Sequence, residues 1–374
     1  MNSDKNNSFH VTYPRRVFIR KSMITAGRLL FGLLADVEIN GKEHLPQNGP
    51  MILAGNHVAA LEAVMMAIYS PGMVEFIGNG DIPFDPNYAP IVKAYDLIPV
   101  NRGNLDRRGL KMGLDVLAQD GILGIFPEGG HWDPARMQAQ IGVAWLSYKA
   151  GVPVIPIGFG GVKKGLSKAL KLKHPKLVMN VGEMIPSVSL SDHNGSLKEG
   201  LTESARQILS AINNLVPEED LRAYRRRMDE KYRLKIEVSS DDHLVSVPVD
   251  LEVEHGSAYA HFLFNPTLMD VLIRNLHLPL KPLKQIYHQS DLSEVIVAWE
   301  SILNYLQENP GYFTYRFGVE EGLAVEMALK ELIRLAKWIQ KSGYSLTINP
   351  VRRYRNGNTG AQVTERGGCF PSSM

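Results

Sequence analysis

The stretch "GNHVAALEAV" at residues 55–64 sets a histidine five positions before a glutamate, among small and apolar residues. Residues five apart on a continuous helix lie on different faces, so His57 and Glu62 can meet only if the histidine occupies the turn before the helix. The helix dipole would then keep the imidazole neutral, and the carboxylate would fix its tautomer. This pattern predicts a general base oriented by a carboxylate. The alternative is an ordinary histidine followed by an ordinary helix carboxylate.

Two further stretches place polar residues directly after apolar strands. Arg102 follows the strand in "LIPVNRG", and Glu128 follows the strand in "IFPEGGHW". The next residues, Gly129 and Gly130, let backbone amides approach a ligand. Guanidinium groups and exposed amides both suit a phosphate. A surface salt bridge and a plain turn explain each stretch in isolation, but the shared position at strand ends with His57 favours a site.

The elements that must position these residues are short apolar runs alternating with helical periods from about Val37 onward. Apolar strands bounded by glycine and proline, with helices between them, predict an α/β fold. We expect a central, mostly parallel sheet flanked by helices, with the site at the strand ends. Beyond residue 235 the half-exposed patterns "LKIEVSS" and "VDLEVEHG" predict strands, and three helical stretches follow. The second part is therefore expected to be a C-terminal α+β domain.

The composition bounds the function classes. The chain has 374 residues, is 44% hydrophobic and carries a net charge of only +2, which gives no reason to expect nucleic acid as a partner. The single cysteine, Cys369, excludes an internal disulfide and a cysteine-based metal cluster. The histidines show no metal-ligand spacing. The expected organisation is a basic amphipathic N-terminal segment (1–36), the α/β domain (37–216), a charged helical connector (217–235), the α+β domain (236–355) and a disordered tail (356–374).

Two basic stretches leave their interpretation open. The apolar run "MITAGRLLFGLLA" is too short to span a bilayer, lacks a signal-peptide pattern, and follows a basic flank of Arg15, Arg16, Arg20 and Lys21. It predicts either a helix lying on an anionic membrane face or a first helix packed on the domain with a solvated basic side. The six lysines from Lys163 to Lys176 suit coenzyme A phosphates, an acidic carrier protein or anionic lipid, or form a solvated face.

Four blocks in this order, "NHVAALE", "IPVNRG", "FPEGGHW" and "VPVIPIG", resemble those of the glycerol-phosphate and lysophospholipid acyltransferase family, which includes 1-acyl-glycerol-3-phosphate acyltransferase. The resemblance covers about residues 30–215. It implies that His57 deprotonates the acceptor hydroxyl, which then attacks the thioester of an acyl-CoA or an acyl-carrier protein. Glu62 stands where the family usually has aspartate, and would orient His57.

The same resemblance implies the substrate-binding residues. Arg102, Glu128 and Gly129 fall in the blocks that bind the acceptor's glycerol phosphate, and the assignment extends to three neighbouring residues, Asn56, Gly130 and His131. The fourth block is mostly structural. The resemblance implies no metal, no bound cofactor and no covalent acyl-enzyme; the acyl-CoA or acyl-carrier protein serves as the donor.

The departures from the family pattern bear on the acceptor. Gly130 and His131 stand where the common form has a small hydroxyl residue and an arginine, and Gln140 stands where a lysine is frequent. Losing both cations favours a phosphate-free hydroxylated lipid. His131, if protonated, or Lys163 and Lys164 would compensate.

The sequence thus predicts an O-acyltransferase similar to 1-acylglycerol-3-phosphate acyltransferase, acting in phospholipid biosynthesis. Its expected partners are a lipid acceptor, an acyl thioester donor, a membrane surface and an acyl-carrier protein. The expected location is cytoplasmic, peripherally on the inner face of a membrane. Two alternatives remain: an acyltransferase for a phosphate-free acceptor, and an inactive protein that retains the fold and binds lipid or acyl carrier.

Overall fold

The computed structural model divides the chain into two compact units. The first unit comprises Met1–Gly80 and Ile91–Tyr224, and the second comprises Asp81–Pro90 and Arg225–Met374. The residues that the structure describes are 10–79, 84–100, 106–128, 139–190, 195–225, 227–240, 243–264, 266–279, 283–310, 319–357 and 359–367.

The first unit alternates strands and helices, as the sequence pattern predicts. Its elements are α1 (Val17–Leu34), β1 (Asp36–Asn40), β2 (Met51–Gly55), α2 (Leu61–Tyr69), β3 (Val74–Asn79), α3 (Ala89–Tyr95), β4 (Ile98–Val100), α4 (Arg107–Leu117), β5 (Ile122–Ile125), α5 (Gly142–Ala150), β6 (Val154–Gly160), α6 (Gly165–Leu170), β7 (Lys176–Val181), α7 (Leu197–Leu215) and α8 (Glu218–Arg225).

A seven-stranded sheet organises this unit, in the order β1-β7-β6-β2-β5-β3-β4. Every neighbouring pair is parallel except β6 and β7. The expected central, mostly parallel sheet flanked by helices is confirmed. Because β6, β2, β5 and β3 are parallel neighbours, their carboxyl ends meet at one edge.

Both faces of this sheet are buried, which explains why its strands read as continuous apolar runs. On β2, Met51 and Leu53 join a core that also contains residues of α2, whereas Ile52 and Ala54 join the core on the other face. All five residues of β2 are buried. The central strand is thus fixed from both sides, and the turn that follows it begins from a rigid support.

Helix α1 is held to the first unit by its basic residues. Arg20 is fully buried and forms an ion pair with Glu75 of β3, and its Nε donates to the Tyr95 carbonyl at 3.0 Å. Arg15 adds a second cation, 3.0 Å from Glu75 and 2.9 Å from Asp96. Arg16 pairs with Asp96 at 3.1 Å. The expectation of a membrane-facing or solvated basic flank is wrong for Arg20, which is buried against Glu75; Arg15 and Arg16 are ion-paired but keep part of their surface exposed.

The outward side of α1 is apolar instead. Phe18 is 85% exposed and Leu33 is 68% exposed, with four further residues at least one-third exposed: Val17, Ile19, Leu29 and Leu30. Among the helices of the described residues, none is both long and apolar enough to cross a bilayer. The exposed side of α1 is thus largely apolar, Arg20 is the buried cation of the helix, and Lys21 and Arg28 are exposed.

The second unit is an α+β arrangement, as expected. Its elements are β8 (Arg227–Ser240), β9 (His243–Val245), α9 (Gly256–Leu263), α10 (Pro266–Leu276), β10 (Ile286–Tyr287), α11 (Gln289–Glu308), α12 (Val319–Ser342), β11 (Ser345–Asn356) and β12 (Gln362–Arg366). The strands form an antiparallel sheet in the order β10-β11-β8-β9, with β12 on β11. One core joins the sheet to α9, α11 and α12 and contains the buried Trp299, whose indole N–H donates to the Tyr259 hydroxyl at 2.9 Å.

Several expectations for the second half differ from the structure. The helix expected across 217–235 ends at Arg225, and from Arg227 the chain forms the long strand β8, because apolar residues alternate within the charged run. The tail expected to be disordered, 356–374, contributes β12, which pairs with β11. The strand expected in "VDLEVEHG" is a short 3-10 helix at Val249–Leu251 followed by α9. Residues 84–90 group with the second unit, where Asp85 pairs with Arg274.

Candidate active site

The predicted base occupies the turn between β2 and α2. Strand β2 ends at Gly55, His57 follows in the turn, and α2 begins at Leu61. Glu62 lies in the first turn of α2 and is fully buried. This is the local geometry that the spacing requires if histidine and carboxylate are to face one region.

Glu62 holds the turn through its own carboxylate. Its Oε1 accepts the backbone N–H of Val58 at 2.6 Å and of Ala59 at 2.8 Å. A carboxylate placed at a helix start in this way caps the helix from the inside and fixes the path of the preceding chain. The second oxygen, Oε2, is buried and accepts no hydrogen bond from the described residues. One oxygen of Glu62 therefore builds the turn and the other remains available within it.

Glu128 reaches the same turn from β5. It follows β5 by three residues, is 2% exposed, and its Oε2 accepts the backbone N–H of His57 at 2.9 Å. Its Oε1 is buried and accepts no hydrogen bond from the described part of the chain. Glu62 and Glu128 together thus bind three successive backbone amides, those of His57, Val58 and Ala59. The structure brings together three of the predicted residues: His57, Glu62 and Glu128.

The imidazole of His57 rests on an aromatic ring that the sequence did not single out. It stacks on Phe126 with 4.1 Å between ring centroids and 16° between planes, and Phe126 in turn lies parallel to Phe76 at 6.3 Å. The stack fixes the plane of the imidazole, because a ring held between a packed face and hydrogen-bonded backbone has few other rotamers. The aromatic residue between β5 and "PEGG" was the available signal.

Asn56 was assigned to substrate binding, and its side chain has a different contact in the structure. Its Oδ1 accepts the Phe159 N–H at 2.7 Å, and its Nδ2 donates to the Phe159 carbonyl at 3.2 Å. It is 3% exposed. These two bonds tie the end of β2 to β6, so the side chain positions His57 from the N-terminal side. Any additional contact of Asn56 with a substrate stays a prediction.

The two carboxylates have unusual proton affinities. Burial raises the pKa of Glu62 to about 8 against the lowering effect of the backbone amides, and the nearby Glu128 adds to the rise. Burial raises the pKa of Glu128 to about 7, while its hydrogen bond from His57 opposes the rise. Titratable groups with pKa values near neutrality are typical of acid–base sites.

Four predicted site residues, Arg102, Gly129, Gly130 and His131, lie outside the described residues. Gln140, which stands where a lysine is frequent in the family, is exposed, and its backbone N–H donates to the Pro127 carbonyl at 2.8 Å. Within the described ranges, no group of three or more histidine, cysteine, aspartate or glutamate residues could hold a metal ion.

Comparison with known proteins finds similarity to acyltransferases. A model of the Acyltransferase family matches residues 36–160. A 1-acyl-sn-glycerol-3-phosphate acyltransferase of Bacillus subtilis (strain 168) is 21% identical over 197 residues, which are 52% of this chain and 96% of the relative. The crystal structure of the 1-acyl-sn-glycerophosphate (LPA) acyltransferase PlsC from Thermotoga maritima is similar with 19% identity and a TM-score of 0.40, over 56% of this chain and 81% of that one.

Proposed function

Because residues 36–160 belong to the acyltransferase family that contains the glycerol-phosphate and lysophospholipid enzymes, we propose that this protein acylates a lipid hydroxyl. The acyl donor is a thioester, either an acyl-CoA or an acyl-carrier protein. The acceptor is of the lysophospholipid or glycerol-phosphate type. His57 acts as general base and Glu62 orients it.

The observation that carries this proposal is the turn held by two buried carboxylates. Glu62 and Glu128 fix three successive amides around His57 by hydrogen bonds of 2.6, 2.8 and 2.9 Å. A turn that served only to connect β2 to α2 would need water or one capping side chain. Burying two carboxylates around one histidine costs free energy, and such an arrangement is favoured where a proton is transferred.

The reaction follows from the roles of these groups. Imidazole removes the proton from the acceptor hydroxyl while its oxygen attacks the thioester carbonyl carbon. The carbon–sulfur bond then breaks, and the departing thiolate takes the proton back from the imidazolium. The products are the new ester and the free thiol, and His57 ends in its starting state. General-base catalysis of this type contributes roughly 10²- to 10⁴-fold to a rate.

Glu62 supplies the negative charge that the imidazolium requires. Its Oε1 is used by the amides of Val58 and Ala59, and its buried Oε2, which accepts no hydrogen bond from the described residues, is the oxygen that we assign to balance the imidazolium during turnover. Burial raises the pKa of Glu62 to about 8, so the side chain supplies this charge only where it is ionised, and turnover should depend on pH through this group. The longer side chain of glutamate relative to aspartate is accommodated because it reaches back over the turn.

The acceptor reaches the site from a membrane surface through α1. Six residues of α1 expose apolar side chains, while Arg20 of the same helix is buried against Glu75 and the exposed cations of the helix are Lys21 and Arg28. A surface helix with exposed apolar residues and a few cations buries the apolar residues in the acyl boundary of a bilayer. Each such side chain contributes roughly 1.5–3 kcal/mol when fully buried.

A phosphate-free acceptor is the second candidate. Gly130 and His131 replace the usual small hydroxyl residue and arginine, and Gln140 replaces a frequent lysine. Two fewer permanent cations weaken the attraction for a phosphate. A hydroxylated lipid without phosphate therefore belongs in any panel of acceptors.

The test is a donor-by-acceptor matrix with the purified full chain, with free thiol release and lipid mass spectrometry as readouts. Acyl-CoAs and acyl-carrier proteins are combined with lysophosphatidic acid, a lysophospholipid and a phosphate-free lipid alcohol. We expect one acceptor class to give both thiol release and a new ester, and His57→Ala to reduce the rate by roughly 10²- to 10⁴-fold while melting like the wild type. Undiminished transfer by the variant would rule out the role of His57.

The inactive alternative predicts a different outcome of the same matrix. A protein that keeps the fold and only binds lipid or acyl carrier would release no thiol with any combination. Binding of the same lipids by a folded but inactive wild-type chain would then replace the enzyme proposal.

A further inference from the structure

The antiparallel sheet of the second unit has one face that is strongly basic. The other face of this sheet packs against the helices, where Leu234, Ile236 and Leu346 contribute to the core. Side chains alternate between the two faces of a strand, so the intervening residues point away from that core. Five of these residues are cations, and all five are exposed: Lys231, Arg233 and Lys235 of β8, Arg353 of β11 and Arg366 of β12.

The strand register brings these cations close together. Arg353 lies directly opposite Lys231, and Val351 has Arg233 on one side and Arg366 on the other. With strands about 4.8 Å apart and alternate residues about 6.7 Å apart, the five positions cover a field of roughly 10 by 14 Å. The spacings between neighbouring positions are shorter than the Debye length of about 8 Å at physiological ionic strength, so the charges act together.

The five cations of this face are not paired with nearby acidic side chains among the described residues. None of the five cations forms an ion pair with a residue that the structure describes, whereas the adjacent Arg355 and Arg352 do, with Asp229 and Glu365. Like charges directly opposite each other in an antiparallel pair destabilise a sheet. Glu237 of β8 is also exposed on this face, so the face carries one acid beside its five unpaired cations, whereas the chain as a whole is nearly neutral at +2. The repulsion is relieved when the face meets an anionic partner.

The ends of the same face carry exposed aliphatic side chains. Leu244 pairs in register with Ser239 and is 76% exposed, and Ile286 pairs with Thr347 and is 49% exposed. Ser239 and Thr347 occupy the same alternation as the cations, so both aliphatic residues share their face. Met228, opposite Arg355 at the other end, is also exposed.

We propose that this face, called the basic sheet face, binds the surface of an anionic lipid bilayer. Cations that attract headgroups, flanked by protruding aliphatic side chains, suit a planar interface. A phosphate-bearing small molecule would need a concave site, and a cavity of this unit is lined by Leu278, Pro279 and Val297 of its helical part instead. A specific protein partner would need aromatic anchors, and the described residues of this face expose none.

The inference rests on the proposed function in one respect: if the acceptor is a membrane lipid, binding of the basic sheet face to the bilayer brings the enzyme to its substrate. The second unit then serves to hold the enzyme at the bilayer, in addition to the apolar contact proposed for α1. The two contacts differ in kind, because that of the basic sheet face depends on lipid charge and on salt and that of α1 does not.

The experiment measures partitioning of the full chain onto two vesicles, one of pure phosphatidylcholine and one of equal parts phosphatidylcholine and phosphatidylglycerol. The variant Arg233→Gln, Lys235→Gln, Arg353→Gln removes three charges from the face. The matched control Lys330→Gln, Arg334→Gln, Lys341→Gln removes three exposed charges from α12 of the same unit. Circular dichroism and thermal melting verify that both variants fold.

We expect the wild type and the control to prefer the anionic vesicle, with a preference that declines as salt is added. The sheet-face variant should bind the anionic vesicle roughly tenfold to hundredfold more weakly, and the neutral vesicle as before. Equal losses in the two variants, or an unchanged preference in the sheet-face variant, would overturn the proposal. So would a sheet-face variant that keeps its vesicle binding and loses binding to a purified acyl-carrier protein or to nucleic acid.

Acyl transfer from acyl-CoA to a detergent-dispersed acceptor separates this result from the proposed function. Activity retained by the sheet-face variant in detergent, with lost preference for anionic vesicles, supports both proposals. A wild type without activity on any acceptor removes the proposed function, and the vesicle measurement still decides the role of the basic sheet face.

Discussion

The first unit buries carboxylates in two different ways. Glu75 of β3 is fully buried and is surrounded by cations, Arg20 and Arg15, at ion-pair distance. Glu62 and Glu128 are buried just as deeply, yet their described partners are backbone amides. Buried glutamates of the same unit thus have two kinds of partner: positively charged side chains at Glu75, and only backbone N–H dipoles at Glu62 and Glu128.

Under the proposed function, this difference distinguishes a carboxylate with a structural role from two carboxylates beside the proposed base. A carboxylate between two guanidinium groups keeps its charge and fastens elements together, here α1 to β3. Carboxylates compensated only by dipoles retain a strong affinity for protons, as the pKa values of about 8 for Glu62 and about 7 for Glu128 indicate. We therefore expect substitutions at Glu75 to act on stability and substitutions at Glu62 to act on turnover.

Among the carboxylate substitutions, the largest effect on rate is expected for Glu62→Gln. The amide oxygen can still accept the N–H groups of Val58 and Ala59, but the neutral side chain cannot balance an imidazolium. We expect acyl transfer to fall by roughly 10²- to 10⁴-fold, measured as kcat/KM for thiol release. The melting temperature should stay equal or rise, because a buried group that resists ionisation is replaced by a neutral one. A lower melting temperature with unchanged turnover would reverse the comparison.

Glu75→Gln should produce the opposite pattern. It leaves the buried Arg20 without its carboxylate and leaves Arg15 with Asp96 alone, which costs about 3–5 kcal/mol of unfolding free energy. Chemical denaturation measures the loss, and turnover of the fraction that is folded should stay close to that of the wild type.

A matched control for Glu75 exists in the same unit. Glu38 pairs with Lys176 at 2.8 Å on the surface, and Glu38→Gln should cost much less unfolding free energy than Glu75→Gln, because solvent screens an exposed ion pair. If the two variants lost the same stability, burial of the Glu75 ion pair would be without consequence.

Glu128→Gln should have a smaller effect than Glu62→Gln. The amide oxygen of glutamine still accepts the N–H of His57, so the turn keeps its path. Because the described contact of this side chain is with the backbone of His57, the proposed base, we expect a loss of about tenfold in kcat with little change in pH profile. Glu128→Ala, which removes the acceptor, should lose more. An increase in KM alone would instead indicate direct contact with the acceptor.

The pH dependence should show stability and activity moving in opposite directions. An unfolded glutamate has a pKa near 4.5, whereas those of Glu62 and Glu128 are raised to about 8 and about 7. Between these values the folded state binds more protons, so unfolding free energy declines as pH rises, by at most about 1.4 kcal/mol per pH unit for each carboxyl. Turnover should rise across the same window as Glu62 ionises. Melting curves and rates from pH 5 to pH 9 test both, and the stability slope should be shallower in Glu62→Gln.

The sequence predicted most of what local patterns determine. Apolar runs bounded by glycine and proline gave the strands of the first unit, and the spacing of His57 and Glu62 predicted a turn followed by a helix, which is present. The contact between Glu62 and the amides of Val58 and Ala59 is itself local, spanning four residues or fewer.

Contacts between distant residues escaped the same reasoning. Glu128 meets His57 across 71 positions and Arg20 meets Glu75 across 55, and neither pairing has a local pattern. A lone charge in the strand "VEFIGN" was a signal for Glu75, since a buried carboxylate demands a partner. The first part of β8 was predicted to be helical because a run of mixed charge obscures the strand-like alternation of its apolar and charged residues. Its identity depends on pairing with β11, more than one hundred positions away.

The attachment of α1 has a practical meaning for anyone who shortens this chain. The family match begins at residue 36, so a natural choice would be to express the protein from that residue and omit the apolar helix α1. Both guanidinium groups that neutralise Glu75 precede that residue. Such a truncation would leave the buried carboxylate of Glu75 in β3 without its counterions. Low solubility or low stability of the shortened protein would then result from the missing arginines and not from a defect in the remaining fold.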